Sequence, residues 1–154
     1  MAYAAVTSSA LCTNSWNNIY AAMNTISDPD SRHTKWIYSA HPDKEHMEKT
    51  DYPLIVVNPV NPSMDALTMG SSDLKQVTLP VSIEVYAKSA DELDTVCDLV
   101  YSKMVSVEST LSGYKMDCMR LTGSIYSIFT PSGTEWKIHV RNTDFEFRFQ
   151  HSGS

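Results

Sequence analysis

The sequence predicts an α+β fold: a mostly antiparallel β-sheet with two α-helices packed on one face. Three observations carry this. Residues 77–88 alternate strictly, with Val77, Leu79, Val81, Ile83, Val85 and Ala87 on one side and Thr78, Ser82, Glu84, Tyr86 and Lys88 on the other. That period of two belongs to a strand with one buried face. Two other segments carry apolar residues at helical spacing, and the last third reads as paired strands around a turn.

The first helix is expected over about residues 10–26. Cys12, Trp16, Ile19, Tyr20, Met23 and Ile26 form its apolar face. Ser8 or Ser9 is placed to cap it, and Ser27-Asp28-Pro29-Asp30 ends it because proline cannot continue a helix. Lys35-Trp36-Ile37-Tyr38 is a short strand candidate. Residues 40–51 read as a charged loop, and Leu54-Ile55-Val56-Val57 as a strand covered on both faces.

Asn58-Pro59-Val60-Asn61-Pro62 stops that strand, and residues 61–75 read as a second long loop. This loop carries Met64, Leu67, Met69 and Leu74, apolar side chains that a purely solvated loop has no use for. They are the candidate partner-contact residues, expected to be mobile in the free chain and ordered on contact. In the long strand that follows, Pro80 cannot donate to a ladder and so marks a sheet edge or a bulge.

Ser89-Ala90-Asp91-Glu92 is a capping box, with Ser89 as N-cap and Glu92 reaching back to it. The helix it opens presents Leu93, Val96, Cys97, Val100, Met104 and Val107 on one face, and Gly113 closes the region. Met119, Leu121, Ile125 and Phe129 are expected to point inward from a strand that turns at Pro131-Ser132-Gly133. Trp136, Ile138 and Val140 follow, then Phe145, Phe147 and Phe149. Their parity changes across Arg141-Asn142-Thr143-Asp144, which means either a bulge in one long strand or a tight turn between two; a bulge better matches the length of the preceding strand.

At 154 residues the chain fits a single domain spanning 1–154. Its net charge of -6 is shared evenly between the two halves, with no basic stripe, which argues against tight binding of a nucleic-acid backbone. Cys12, Cys97 and Cys118 form no motif and are expected to be reduced. No signal peptide and no run of membrane-spanning length is present, so synthesis in the cytoplasm and a soluble product are expected.

Motifs for chemistry are missing from the sequence. It has no glycine-rich phosphate loop, no Gly-x-Ser-x-Gly and no His-Glu-x-x-His. His41, Asp43, Glu45, His46, Glu48 and Asp51 are possible metal ligands by type, but a charged loop supplies no evident second shell. Glu135 and Lys137, with Asp43 upstream, are a weak nuclease-like pairing more than ninety residues apart. Asp91, Glu92, Asp94 and Asp98 are explained by the helix dipole, and Cys97 by burial. The expectation is a non-enzyme with no cofactor and no metal.

From Tyr52 onward the sequence resembles the tail terminator, or tail completion, proteins of long-tailed bacteriophages. The resemblance lies in Asp51-Tyr52-Pro53 leading into Leu54-Ile55-Val56-Val57, and in the strand Leu79–Lys88 running directly into Ser89-Ala90-Asp91-Glu92-Leu93-Asp94. Asn142–Phe149 stands as the closing strand. The resemblance implies a structural virion protein of the tail or neck, assembling as a ring, commonly a hexamer, on the end of the tail tube. Such a ring stops tube polymerisation and offers a surface to the head–tail connector, while DNA passes through its lumen without specific binding. The alternatives are another neck protein, such as a head-closure or adaptor subunit, and a small metal-dependent nuclease.

Overall fold

A computed structural model describes residues 3–7, 9–32, 35–42, 48–66, 74–130 and 135–152. Helix α1 covers Leu11–Asn24, strand β1 Ile37–Tyr38, β2 Leu54–Val57, β3 Ser63–Ala66 and β4 Leu74–Ala87. Helix α2 covers Ala90–Gly113, β5 Arg120–Phe129 and β6 Ile138–Ser152. The sheet runs β1-β2-β4-β6-β5, with β3 also paired to β4. Every pairing is antiparallel except β1 with β2. The α+β class is as the sequence predicts.

Both helices lie on one face. The inward set of β4, Val77 through Ala87 at odd positions, packs with Leu93, Val96, Cys97, Val100 and Met104 of α2 and with Ile19, Ala22 and Met23 of α1. Ser89 caps α2, its hydroxyl accepting from the Glu92 N–H (3.2 Å). The Glu92 carboxylate accepts from the N–H of Lys88 (3.0 Å), one residue beyond the cap. One backbone donor that the helix start leaves open, and the donor of the residue before the cap, are thereby satisfied.

Helix α1 departs from expectation in two ways. Ala10, not a serine, stands at its N-cap, with no side-chain bond there; Ser8 lies outside the described residues. Its buried arc is rotated toward Ser15, Asn18, Ile19, Ala22 and Met23, so Cys12 is exposed rather than on the core face. Asn18 explains the rotation. Its amide accepts from the N–H of Ala4 (2.9 Å) and donates to the carbonyl of Ala4 (2.8 Å), clasping the N-terminal segment as a strand neighbour would. That satisfied pair makes burial of a polar side chain tolerable. Ser15 is buried too, and its Oγ has no hydrogen-bond partner among the described residues.

The sheet has a second buried face, and this resolves the parity change in β6. Tyr52, Leu54, Val56, Tyr86, Ile138 and Val140 cluster on the side away from the helices, with Tyr38, Phe129 and Trp136 packed against them. Thus Ile138 and Val140 point to one face, and Thr143, Phe145 and Phe147 to the other. No bulge is needed: β6 stays in continuous register with β4 from Leu74↔Ser152 to Ala87↔His139. The irregularity lies across the ladder instead, in β5 between Leu121 and Gly123.

Pro80 sits in a central strand rather than at an edge. The carbonyl of Ser82 accepts from Asn58 N–H on the side away from β6 (3.1 Å). By strand alternation the nitrogen of Pro80 faces that same side. Pairing to β3 ends at Thr78 and pairing to β2 begins at Ile83, so Pro80 falls in the gap where no donor is required.

The segment read as a loop over 61–75 is in part a hairpin. Residues 63–66 pair with 75–78, and β4 begins at Leu74. Backbone pairing with a long, well-anchored neighbour is what orders it. Of the expected contact residues, Leu67 and Met69 lie outside the described residues.

Candidate functional site

The feature that stands apart is β5. Its ladder to β6 is nearly complete, yet its large apolar side chains are not covered: Leu121 is 52% exposed, Ile125 64%, Tyr126 50% and Ile128 54%. Helix α2 packs over β4 and β6, and the sheet runs one strand further than the helix layer. Leu121 stands beside Phe145 and Tyr126 beside Arg141 on the helix side; Ile125 stands beside Asn142 on the other. The expected inward burial of Leu121 and Ile125 is therefore not found: no helix among the described residues covers these two side chains.

Among the described residues the outer edge of β5 has no strand partner either. The N–H of Arg148 donates to the carbonyl of Asp117, which precedes β5 (2.9 Å), so even-numbered positions of β6 aim their backbone groups at β5. Their partners Gly123, Ile125, Ser127 and Phe129 aim theirs back. Ser124, Tyr126 and Ile128 are left with N–H and C=O groups directed outward. Natural sheets guard such edges with charge, proline or bulges. Here the bulge protects only the Leu121 end, and no charged residue occurs between Arg120 and Glu135.

Tyr126 bonds through its hydroxyl to His139 Nδ1 (2.5 Å), which holds the ring over the helix-side surface. Arg141, opposite Tyr126, is tied to Asp94 of α2 (2.8 Å). Burial raises the pKa of the Cys97 thiol beneath them, against the lowering influence of Arg141. A buried thiol held in its neutral form is a packing group, not a nucleophile.

The other candidate residues fall elsewhere. Met64 is 40% exposed on β3, across the sheet from β5, and Leu74 opens β4. Asp43, Glu45 and His46 lie outside the described residues. His41 packs against Tyr86 (4.8 Å between ring centroids) and Phe129 (4.9 Å), with Nε2 3.1 Å from the Tyr52 hydroxyl. It therefore stands over the second apolar cluster. Among the described residues no group of three His, Cys, Asp or Glu could hold a metal. Glu135 and Lys137 are exposed on either side of the half-buried Trp136 and precede β6. Asp91 and Glu92 lie in the first turn of α2. No helix among the described residues is long and apolar enough to cross a membrane.

Two features had no sequence expectation attached. Arg32 donates to Asp28 (Nε–Oδ2 2.7 Å), to the carbonyl of Pro53 (2.6 Å) and to that of Thr50 (3.1 Å), joining the exit of α1 to the start of β2. A groove of about 330 Å³ lies beside α1, lined by Cys12, Thr13, Trp16, Asn17, Ser39, Pro59 and Val60. The exposure of β5 did have a sequence signal: apolar residues stand at both odd and even positions, Leu121 and Ile125 against Tyr126 and Ile128. A strand with one buried face does not need both.

No protein-family profile matches the chain, and no curated protein does. Among solved structures it is similar to a chain described as "Virion of native gene transfer agent (GTA) particle". Identity is 12%, the match covers 86% of this chain and 84% of that one, and the TM-score is 0.34. A likeness at that level transfers neither function nor residue roles.

Proposed function

We propose that this chain is a structural subunit of a phage-type virion that assembles as a ring, six-membered by resemblance to tail terminators, on the end of the tail tube. The ring ends tube polymerisation and offers its far surface to the head–tail connector. The observation that supports an assembly role is β5, a ten-residue strand outside the helix layer with four large apolar side chains half or more exposed. Surfaces of that kind on a soluble domain mark protein–protein contacts. The acidic balance of the chain suits a lumen through which DNA slides without sticking.

Assembly on a tube end is the direct test. Purified protein is added to tails lacking their terminal ring and imaged by electron microscopy. A single ring at one tail end, and tubes of fixed length, is the expected result. Tails left bare at saturating protein would refute the reading. A ring at the head portal instead would favour the head-closure alternative.

A further inference from the structure

We propose that the free protein is a two-fold dimer in which β5 of one copy pairs antiparallel with β5 of a second copy, about Ser127. The sequence of the strand is self-complementary around that residue. Reading outward from Ser127, Tyr126 would meet Ile128 of the second copy, Ile125 would meet Phe129, and Ser124 would meet Thr130. Aromatic and aliphatic side chains meet one another, and serine meets serine or threonine; the Tyr126 hydroxyl is already bonded to His139 of its own copy.

Two geometric conditions are satisfied together. The residues with outward-directed backbone groups are Ser124, Tyr126 and Ile128, all at even positions. Pairing about Ser127 sets even against even, so these outward groups bond to one another. Directly opposed residues must also share a face of the joined sheet. Tyr126 and Ile128, beside Arg141 and His139, are on the helix side, and Ile125 and Phe129, beside Asn142 and Ile138, are on the other. Both pairs satisfy this. Aromatic–β-branched pairs of this type are among the stabilising cross-strand contacts.

The second copy fits this edge better than a foreign partner on grounds of charge. The chain carries a net charge of -6, and residues 121–134 contain no charged side chain. Two acidic copies can approach along this one neutral strand without setting like charges opposite each other. A basic partner would gain nothing here. The pairing also extends an existing core: Phe129 already packs on the second apolar cluster, and Ile125 of the second copy would lie against it.

A two-fold contact uses the same surface on both copies and so closes on itself; it cannot propagate into a ring. The dimer is therefore the form of the free protein, and ring assembly exchanges it for a different contact. That last role rests on the ring reading; the pairing does not.

Sedimentation equilibrium and cysteine crosslinking test the dimer. The free protein should sediment at twice the 17.2 kDa chain mass at micromolar concentration. Ile128→Lys, at an exposed position, should weaken dimerisation at least tenfold with the far-UV spectrum unchanged. Crosslinking serves independently in a Cys12→Ser, Cys118→Ser background. Ser127 faces its own copy as a non-hydrogen-bonded pair, with Cα atoms about 4.5 Å apart, inside the disulfide range. Ser127→Cys should oxidise to a covalent dimer. Ser124→Cys, about 20 Å from its counterpart by strand rise, should not. A monomer at these concentrations, or equal crosslinking of the two variants, would overturn the proposal. A dimer that never forms rings on tails would leave it standing and remove the ring function instead; a ring-former with no dimer would do the reverse.

Discussion

Single side chains in this molecule are decided by what faces them rather than by their type. Tyr52 is fully buried at the start of β2, with its hydroxyl beside His41. Burial first, and the nearby charge of Asp51 second, push its pKa up to about 12 from the ordinary value of 10.0. Tyr86 moves in the same direction through burial and the Glu84 carboxylate, to which its hydroxyl donates (2.6 Å). The folded state thus keeps protons that the unfolded chain releases near pH 10. For Tyr52 the stabilising contribution is whole below that pH, declines as pH rises toward 12, and is gone above; that of Tyr86 persists higher. Urea midpoints measured between pH 9 and 11.5 should fall steeply in the upper half of that range. Tyr52→Phe should flatten the fall without abolishing it, since Tyr86 remains. An identical slope in the variant would show that Tyr52 ionises as freely in the folded protein as in the unfolded one. None of this was legible in the sequence, where Tyr52 stood only beside a proline and Tyr86 on the expected solvent side of its strand.

At the level of elements, the sequence was legible wherever coverage stays the same along the element. The alternation of β4, the doubly covered run of β2 and the capping box of α2 each correspond to what the structure contains. It misled where coverage changes along a strand. β6 buries Ile138 and Val140 on one face and Phe145 and Phe147 on the other, which in sequence looks like a slip of one residue. β5 carries the same apolar alphabet and buries almost none of it, because periodicity reports which side a residue points to and not whether anything lies there. The two-faced account of β6 has a measurable consequence. Val140→Ala removes two buried carbon groups from the second cluster, a loss of roughly 1.5 kcal/mol. Methyl NMR shifts should change at Leu54, Val56 and Ile138 while Val96 and Val100 under α2 stay in place. Perturbation spread equally to the α2 methyls would mean that the two clusters form one core.

For the whole molecule, exposed large apolar side chains of the described residues stand at opposite sides of one sheet. β5 lies at one side; across β4, on the other, β3 carries the half-exposed Met64. The 61–75 segment was read as one long loop, and the pairing of residues 63–66 with 75–78 corrects that reading for its stems. Among the described residues the far edge of β3 has no strand partner, and the outward backbone groups of Met64 and Ala66, with the exposed methionine side chain, are suited to an adaptable contact. We predict that this edge, together with Leu67 and Met69 beyond it, meets the tail tube. Hydrogen exchange read at residue resolution, in the free protein and on assembled tails, separates the possibilities. The amides of β3 that bond to β4 should be protected in both states, while those on its outer edge, and the amides of residues 67–73, should slow at least tenfold only on tails. The contrast within one short strand matters, because simple stiffening of the subunit would slow both sets alike. Unchanged exchange at the outer edge would place the tube contact on another surface, and parallel slowing of both sets would reduce the effect to stabilisation of the fold.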